Sequence, residues 1–120
     1  MKNLVTFFEI PAVDFDRAVR FYEAIFNTTL PVCGCEKEKM AFFKEEEKSI
    51  GAISFAPGLT PSSKGTLIYF YCNDIDETLS IVKNSGGKIV TAKTEIPGGW
   101  GYSAVITDSE GNNIGLHSDK

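Results

Sequence analysis

The 120-residue sequence lacks a basic excess and lacks any long apolar run. Its 12 Lys and Arg residues are outnumbered by 16 Asp and Glu residues, which gives a net charge of −4 and a pI near 5.0. Binding of nucleic-acid phosphates needs a basic face, so this class of partner is not expected. No apolar run approaches the roughly 20 residues of a membrane span, and the N-terminus has no signal-peptide core. We expect a cytoplasmic protein that contacts neither membranes nor nucleic acid.

Cysteine is also scarce. The three cysteines, Cys33, Cys35 and Cys72, are odd in number and form no disulfide framework. A single residue separates Cys33 from Cys35, whereas zinc pairs usually leave about two to four residues between ligands. Two side chains at this spacing on a strand share a face, so packing or exposure explains the pair, and no role is assigned to the cysteines.

What is present is an ordinary globular composition, 42% hydrophobic and 23% charged, in a chain long enough for one domain. The first half opens on a β-branched and aromatic strand ended by Pro11, and Asp14 can cap the amphipathic helix that follows. Three short strands complete this half. The predicted elements are a strand at Leu4–Ile10, a helix at Phe15–Phe26, and strands near Thr29–Cys35, Lys39–Lys44 and Ser49–Phe55.

The second half repeats this order after a linker rich in proline, glycine and serine. Asp74 is the second predicted helix cap, and Gly86-Gly87 ends that helix. Module 1 is predicted over residues 1–57, the linker over 58–65 and module 2 over 66–120. Within module 2 the predicted elements are a strand at Thr66–Cys72, a helix at Ile75–Asn84, and strands at Lys88–Thr91, Tyr102–Thr107 and Asn113–Ser118.

The two halves are also similar in sequence. Asp14-Phe15-Asp16 aligns with Asp74-Ile75-Asp76 sixty positions later, and Ile50-Gly51-Ala52-Ile53 resembles Ile114-Gly115-Leu116-His117. Neither half can bury its sheet face alone. The sequence therefore predicts an α+β fold of two β-α-β-β-β modules. Their sheets form an open, incomplete eight-stranded barrel with helices outside and a concave, pocket-forming inside.

This arrangement resembles the vicinal oxygen chelate superfamily, which includes glyoxalase I, extradiol dioxygenases and bleomycin resistance proteins. The most similar branch is that of predicted enzymes related to lactoylglutathione lyase. The residues that carry the resemblance are Phe21-Tyr22, Asp74-Ile75-Asp76, Gly86-Gly87 and the Asp108–Asn112 turn.

The resemblance implies four positions for the ligands of a divalent metal, on the first and last strands of each module. In this sequence those positions hold Phe7, Gly51, Leu67 and Gly115, and none has a ligand atom in its side chain. The sequence has one histidine, His117. We therefore expect neither the superfamily's metal centre nor another cofactor.

Residues two further along the same strands should also face the hollow. These are Glu9, Ile53, Tyr69 and His117, with Tyr71 on the same face, on an apolar wall of Phe7, Ile53 and Leu67. Glu9 is predicted to act as a general base or to hold a cationic ligand, with His117 as its partner acid. The alternative is that Glu9 lies at the pocket mouth or pairs with a hydroxyl, and that His117 and the tyrosines only pack.

Trp100 lies among three glycines in Ile96-Pro97-Gly98-Gly99-Trp100-Gly101, which predicts a lid that stacks on a ligand. The alternative is a hairpin connection with Trp100 anchored over the core. The predicted function is small-molecule binding, with a metal-free lyase or isomerase step as an additional option. Its rivals are ligand sequestration, as in bleomycin resistance proteins, a divalent-metal lyase or dioxygenase with non-standard ligands, and an interaction module. The resemblance implies a homodimer.

Overall fold

The computed structural model describes residues 4–120, and Met1 to Asn3 lie outside the described residues. It contains the two predicted β-α-β-β-β modules, each a four-stranded mixed sheet with one helix, so the predicted fold class is confirmed. The elements are β1 (Phe8–Pro11), α1 (Phe15–Phe26), β2 (Val32–Gly34), β3 (Lys39–Glu45), β4 (Lys48–Phe55), β5 (Tyr69–Tyr71), α2 (Ile75–Asn84), β6 (Lys88–Glu95), β7 (Tyr102–Thr107) and β8 (Asn113–Ser118).

The two sheets have the same strand order. The first is ordered β1-β4-β3-β2 and the second β5-β8-β7-β6, and the two sheets do not close. In each module the first strand runs parallel to the last, and the remaining neighbours are antiparallel. The first strand of each module is therefore an edge strand, and its side chains lie beside those of the last strand.

Both helices begin and end where their caps predict. The Asp14 side chain accepts a hydrogen bond from the Arg17 N–H, and the Asp74 side chain accepts one from the Glu77 N–H. These bonds satisfy backbone donors that the first helical turn leaves free. Helix α1 stops at Asn27, which adopts a left-handed conformation with φ of 49°.

The main differences from the predicted strands lie at the edges. Strand β1 begins at Phe8 instead of Leu4, and β5 begins at Tyr69 instead of Thr66. Leu4 and Val5 are 79% and 72% exposed. They are apolar residues that commonly form strands, but here they are not buried against a sheet neighbour or a helix. Strand β6 continues to Glu95, four residues beyond its predicted end, through an irregular pairing with β7.

The core is shared between the modules. The rings of Phe8 and Phe43 from the first sheet lie 5.7 and 5.2 Å from the ring of Phe70 in the second. Tyr22 and Phe26 of α1 pack on this cluster, with the Phe26 and Phe70 rings 4.9 Å apart. Offset and edge-to-face aromatic pairs at such distances stabilise a core beyond simple area burial. The helix-side faces of both sheets are thus buried together.

A turn of module 2 also holds the start of the helix in module 1. Glu110, between β7 and β8, accepts hydrogen bonds from the N–H groups of Val13 and Asp14 at 2.9 and 2.8 Å. Its other oxygen accepts one from Arg17 Nε at 2.6 Å. Burial alone would raise the pKa of Glu110, but the hydrogen bonds from Arg17, Asp14 and Val13 outweigh it and the pKa is lowered. We call this contact the Glu110 clamp.

The same turn is anchored in the core by Asp108, which is 3% exposed. Its carboxylate accepts a 2.5 Å hydrogen bond from the Tyr22 hydroxyl and further bonds from the N–H groups of Glu110 and Asn112. Burial and the nearby Asp108 carboxylate raise the pKa of Tyr22 well above its usual value, so Tyr22 stays protonated as the donor.

Candidate open-face site

The register of each sheet decides which side chains face the helices and which face the opposite, uncovered side, here called the open face. In the second sheet Phe70 lies beside Leu116 on the helix side, so Tyr69, Tyr71 and His117 project to the open face. In the first sheet Ile10 lies beside Ile53 on the helix side. The open face of the first sheet carries Glu9, Ala52, Ser54, Phe42, Met40 and Cys33.

The Tyr69 ring can lie against the backbone of β8 because the neighbouring residue of β8 is a glycine. Tyr69 and Gly115 are paired in register, and a Cβ on Gly115 would lie 2.4 Å from Cδ2 of the Tyr69 ring. The ring therefore lies directly across the backbone of β8. Tyr69 is 54% exposed, so an aromatic surface is presented to solvent.

His117 and Tyr71 lie next to each other on this face, with ring centroids 6.0 Å apart. His117 Nε2 is 2.8 Å from the carbonyl oxygen of Trp100. A carbonyl only accepts, so Nε2 carries a proton and donates it in this bond, and in the neutral ring Nδ1 is left with its lone pair. Tyr71 is 57% exposed and donates a 3.1 Å hydrogen bond to Asp119, which raises the pKa of Tyr71.

Glu9 lies on the open face of the other sheet. The Ser54 hydroxyl donates a 2.8 Å hydrogen bond to Glu9 Oε1, which is the hydroxyl pairing considered from the sequence as the alternative to a catalytic role. Within residues 4–120, no hydrogen bond or salt bridge joins Glu9 to His117. Glu9 and His117, which were predicted to act as a proton-transfer pair, are therefore not hydrogen-bonded to each other in the described residues.

Two sequence predictions about the first sheet are wrong. Ile53 is fully buried on the helix side, where it packs with Ile10 and does not line the hollow. Gly51 also faces the helices, and a Cβ there would lie 2.4 Å from the Phe8 ring. All four residues from Gly51 to Ser54 are buried, and they do not alternate between apolar and polar types. The sequence therefore does not show which of them face the helices.

The other two of the three predicted wall residues lie just outside the strands. Phe7 precedes β1 and is 38% exposed, while Leu67 precedes β5 and is half-buried. Trp100 is 72% exposed, so it is not anchored over the core as the alternative interpretation required. Its role as a lid stays a prediction.

The sequence interpretation missed Ser54, Met40 and the cysteine pair as open-face residues. A cavity of about 370 Å³ brings Cys33, Cys35, Met40, Ser54 and Glu9 together. Ser54 on β4 is paired in register with Met40 on β3, and Met40 is paired with Cys33 on β2, so the three side chains lie on one face. Predicting this pairing of the three strands would have revealed the cavity lining.

Residues 5–116 match the family model described as the Glyoxalase/Bleomycin resistance protein/Dioxygenase superfamily. The chain belongs to this superfamily. The match covers both modules, from the residues before β1 to the middle of β8, and agrees with the resemblance inferred from the sequence.

Solved structures of the superfamily share the fold of this member at low sequence identity. Glyoxalase I from Zea mays is 19% identical over 95% of this chain and 45% of that chain, with a TM-score of 0.72. A glyoxalase/bleomycin resistance protein/dioxygenase family enzyme from Burkholderia phytofirmans PsJN is 16% identical, covers 97% and 98% of the two chains, and has a TM-score of 0.72. The trypanothione-dependent glyoxalase I of Leishmania major is 18% identical, covers 96% and 86%, and has a TM-score of 0.68.

The chain thus spans less than half of the maize glyoxalase I chain and nearly all of the Burkholderia chain. The comparison with curated proteins gives no match. Neither α1 nor α2, the helices of the described part of the chain, is long and apolar enough to cross a membrane.

The residues of this superfamily member do not fit the divalent metal centre that the family implies. Phe7, Leu67 and Gly115 have no ligand atom, and Gly51 faces the helices instead of the open face. Its open-face neighbour Ala52 has no ligand atom either. In the part of the chain that the structure describes, no three His, Cys, Asp or Glu side chains are close enough to hold a metal ion. We assign no step to such a centre.

Proposed function

We propose that this protein binds a small organic molecule with an aromatic or apolar part on the open face of the second sheet. The observation that carries the proposal is the exposure of Tyr69 and Tyr71, at 54% and 57%, beside His117 on one uncovered sheet face. Large exposed aromatic side chains that cluster beside a few polar groups are typical of ligand sites. The ligand would stack on the tyrosines and hydrogen-bond to Nδ1 of His117.

Binding without chemistry is the version of this function that the contacts favour. Glu9 is held by Ser54 and His117 by the Trp100 carbonyl, so each polar group has its own partner. A metal-free lyase or isomerase reaction would place the proton transfer on Nδ1 of His117, with Glu9 acting separately or binding a cationic part of the ligand. A second copy of the chain would complete the site in the homodimer that superfamily membership favours.

The binding test uses Trp100, the single tryptophan of the chain, whose indole ring is exposed next to the bond that orients His117. Small aromatic compounds are titrated while tryptophan fluorescence and protein NMR shifts are followed. For a compound that binds, Tyr69→Ala and Tyr71→Ala should each weaken the affinity about 2- to 10-fold, the loss expected from about 0.5–1.5 kcal/mol of aromatic stacking.

The matched control is Val13→Ala, which also removes an exposed apolar side chain (60% exposed) but lies at the start of α1. Its affinity should equal that of the original protein. His117→Gln should lower turnover much more than affinity if a reaction occurs, and should lower affinity alone if the protein only binds. Equal affinities for both tyrosine variants and the control would contradict the proposed site.

A further inference from the structure

Sulfur-containing side chains are concentrated in the 370 Å³ cavity on the open face of the first sheet. The chain has three cysteines and two methionines, and three of these five residues, Cys33, Cys35 and Met40, line this one cavity. Cys33 and Cys35 are exposed, so a solute can reach them. Cys72, the remaining cysteine, is buried at the start of module 2 and lies apart from them.

The backbone fixes this grouping. Cys33 on β2 and Met40 on β3 are paired in register, which places their side chains side by side on one face. The Cys35 N–H donates a 2.7 Å hydrogen bond to the Glu38 carbonyl and closes the turn between the two strands. Gly34 permits the close approach, because its φ is +130° and a Cβ there would lie 2.2 Å from the Glu38 oxygen.

The charges around the sulfur atoms favour a cation. Glu9 and Glu38 line the same cavity. Lys39, which also lines it, holds its ammonium group 5.8 Å from the ring centroid of Phe15, a core residue on the helix side. The Lys39 ammonium group is thus directed toward Phe15, while Glu9 and Glu38 contribute two negative charges to the cavity lining, which attract a cation.

We propose that Cys33, Cys35 and Met40 form a binding site for one soft metal ion of the Cu(I) class. Thiolate and thioether ligands select such ions, which are satisfied by two or three sulfur ligands. Zinc prefers four nitrogen or sulfur ligands, and no three His, Cys, Asp or Glu side chains within residues 4–120 are close enough to supply them. Binding converts the two thiols to thiolates and releases two protons to solvent, with no change in the oxidation state of the metal.

This site is separate from the superfamily's metal positions, which lie on the first and last strands of each module. It also does not depend on the proposed ligand surface of the second sheet, so either proposal can fail alone.

The test is an anaerobic titration of the reduced protein with Cu(I), in competition with the chromogenic chelator bicinchoninate. One Cu(I) should bind per chain, with release of two protons. Cys33→Ser and Cys35→Ser should each weaken Cu(I) binding by at least about 100-fold, and Met40→Leu by about 10-fold, since each removes a soft ligand. Zn²⁺ at the same concentration should not displace the bound Cu(I).

The control is Cys72→Ser, which should bind Cu(I) as the original protein does. The apo forms of Cys33→Ser and Cys35→Ser should unfold at the original temperature, because both side chains are exposed. Unchanged Cu(I) affinity in these two variants would overturn the proposal. A stoichiometry of one ion per two chains, with dimer formation on addition of the metal, would also overturn the site within one chain.

Discussion

Replacing Gly51 by alanine should destabilise the fold, whereas replacing Gly115 by alanine should leave its stability nearly unchanged. An alanine Cβ at Gly115 would lie 2.4 Å from the Tyr69 ring, and one at Gly51 would lie 2.4 Å from the Phe8 ring. Ordinary contact between carbon atoms needs about 3.5–4.0 Å, so each ring must move by about 1 Å or more. The two substitutions therefore impose the same local displacement on an aromatic ring.

What differs is the freedom of each ring to move. Tyr69 is 54% exposed and can turn toward solvent. Phe8 is half-buried and packs against Phe43 and Phe70, whose ring centroids each lie 5.7 Å from its own, so it has less freedom to move. Gly51→Ala should therefore lower the free energy of unfolding by about 1–3 kcal/mol, the usual cost of an overpacked core. Gly115→Ala should change it by about 0.5 kcal/mol or less, as expected at an exposed position.

Thermal unfolding followed by circular dichroism measures the difference. For a chain of this size, 1 kcal/mol corresponds to a shift in Tm of about 4 °C, so Gly51→Ala should melt about 4–12 °C lower. The effect of glycine replacement on the unfolded chain is common to both variants and cancels in the comparison. Gly115→Ala should instead weaken binding of any ligand that stacks on Tyr69. An equal loss of Tm in the two variants would refute the assignment of these rings to opposite faces.

Two further predictions concern the turn between β7 and β8. Tyr22→Phe should lower the free energy of unfolding, measured in urea, by about 1.5–3 kcal/mol, because the buried Asp108 carboxylate loses its hydroxyl donor. An unchanged midpoint of the urea transition would contradict this prediction. Since the pKa of Glu110 is lowered from 4.5, its clamp stabilises the fold above about pH 4.5 and this stabilisation is lost as the pH falls below that value. The stability difference between the original protein and Glu110→Gln should shrink from pH 7 to pH 3, and a constant difference would argue against it.

The helices could be predicted to the residue because their signals are local. Asp14 and Asp74 cap helices whose apolar stripes begin at the next residue, and the structure places both helices at the predicted bounds. The duplicated order of elements likewise follows from turn residues and short apolar strands. Such signals depend on neighbours within about four residues of each other.

The faces of the last strand could be predicted in only one of the two modules. In β8 the open-face positions of Gly115 and His117 follow from alternation, and the structure agrees. In the similar tetrapeptide Ile50–Ile53, the side chains face the opposite sides of the sheet. Glu9 pairs with Ala52, whereas Tyr69 pairs with Gly115. In the structure β4 and β8 therefore correspond at an offset of 63 residues, whereas the sequence match of Ile50-Gly51 with Ile114-Gly115 suggests 64. A one-residue slip moves every side chain to the other face.

The contacts between the modules could not be predicted from the sequence at all. The pairing of Tyr22 with Asp108 joins residues 86 positions apart, and no local pattern indicates it. The same holds for the sulfur-lined cavity, where Cys33 and Met40 meet only because β2 pairs with β3 in one particular register.

The Glu110 clamp also affects the order in which the chain can fold. Its partners, Val13, Asp14 and Arg17, precede Glu110 by 97, 96 and 93 positions. During synthesis, the start of α1 is therefore without this carboxylate until Glu110, 93 positions after Arg17, has been made. Closing so long a loop is slow, and it can only follow formation of the β7–β8 turn. The duplicated halves are thus not two independent folding events, since the first helix is completed by the last hairpin.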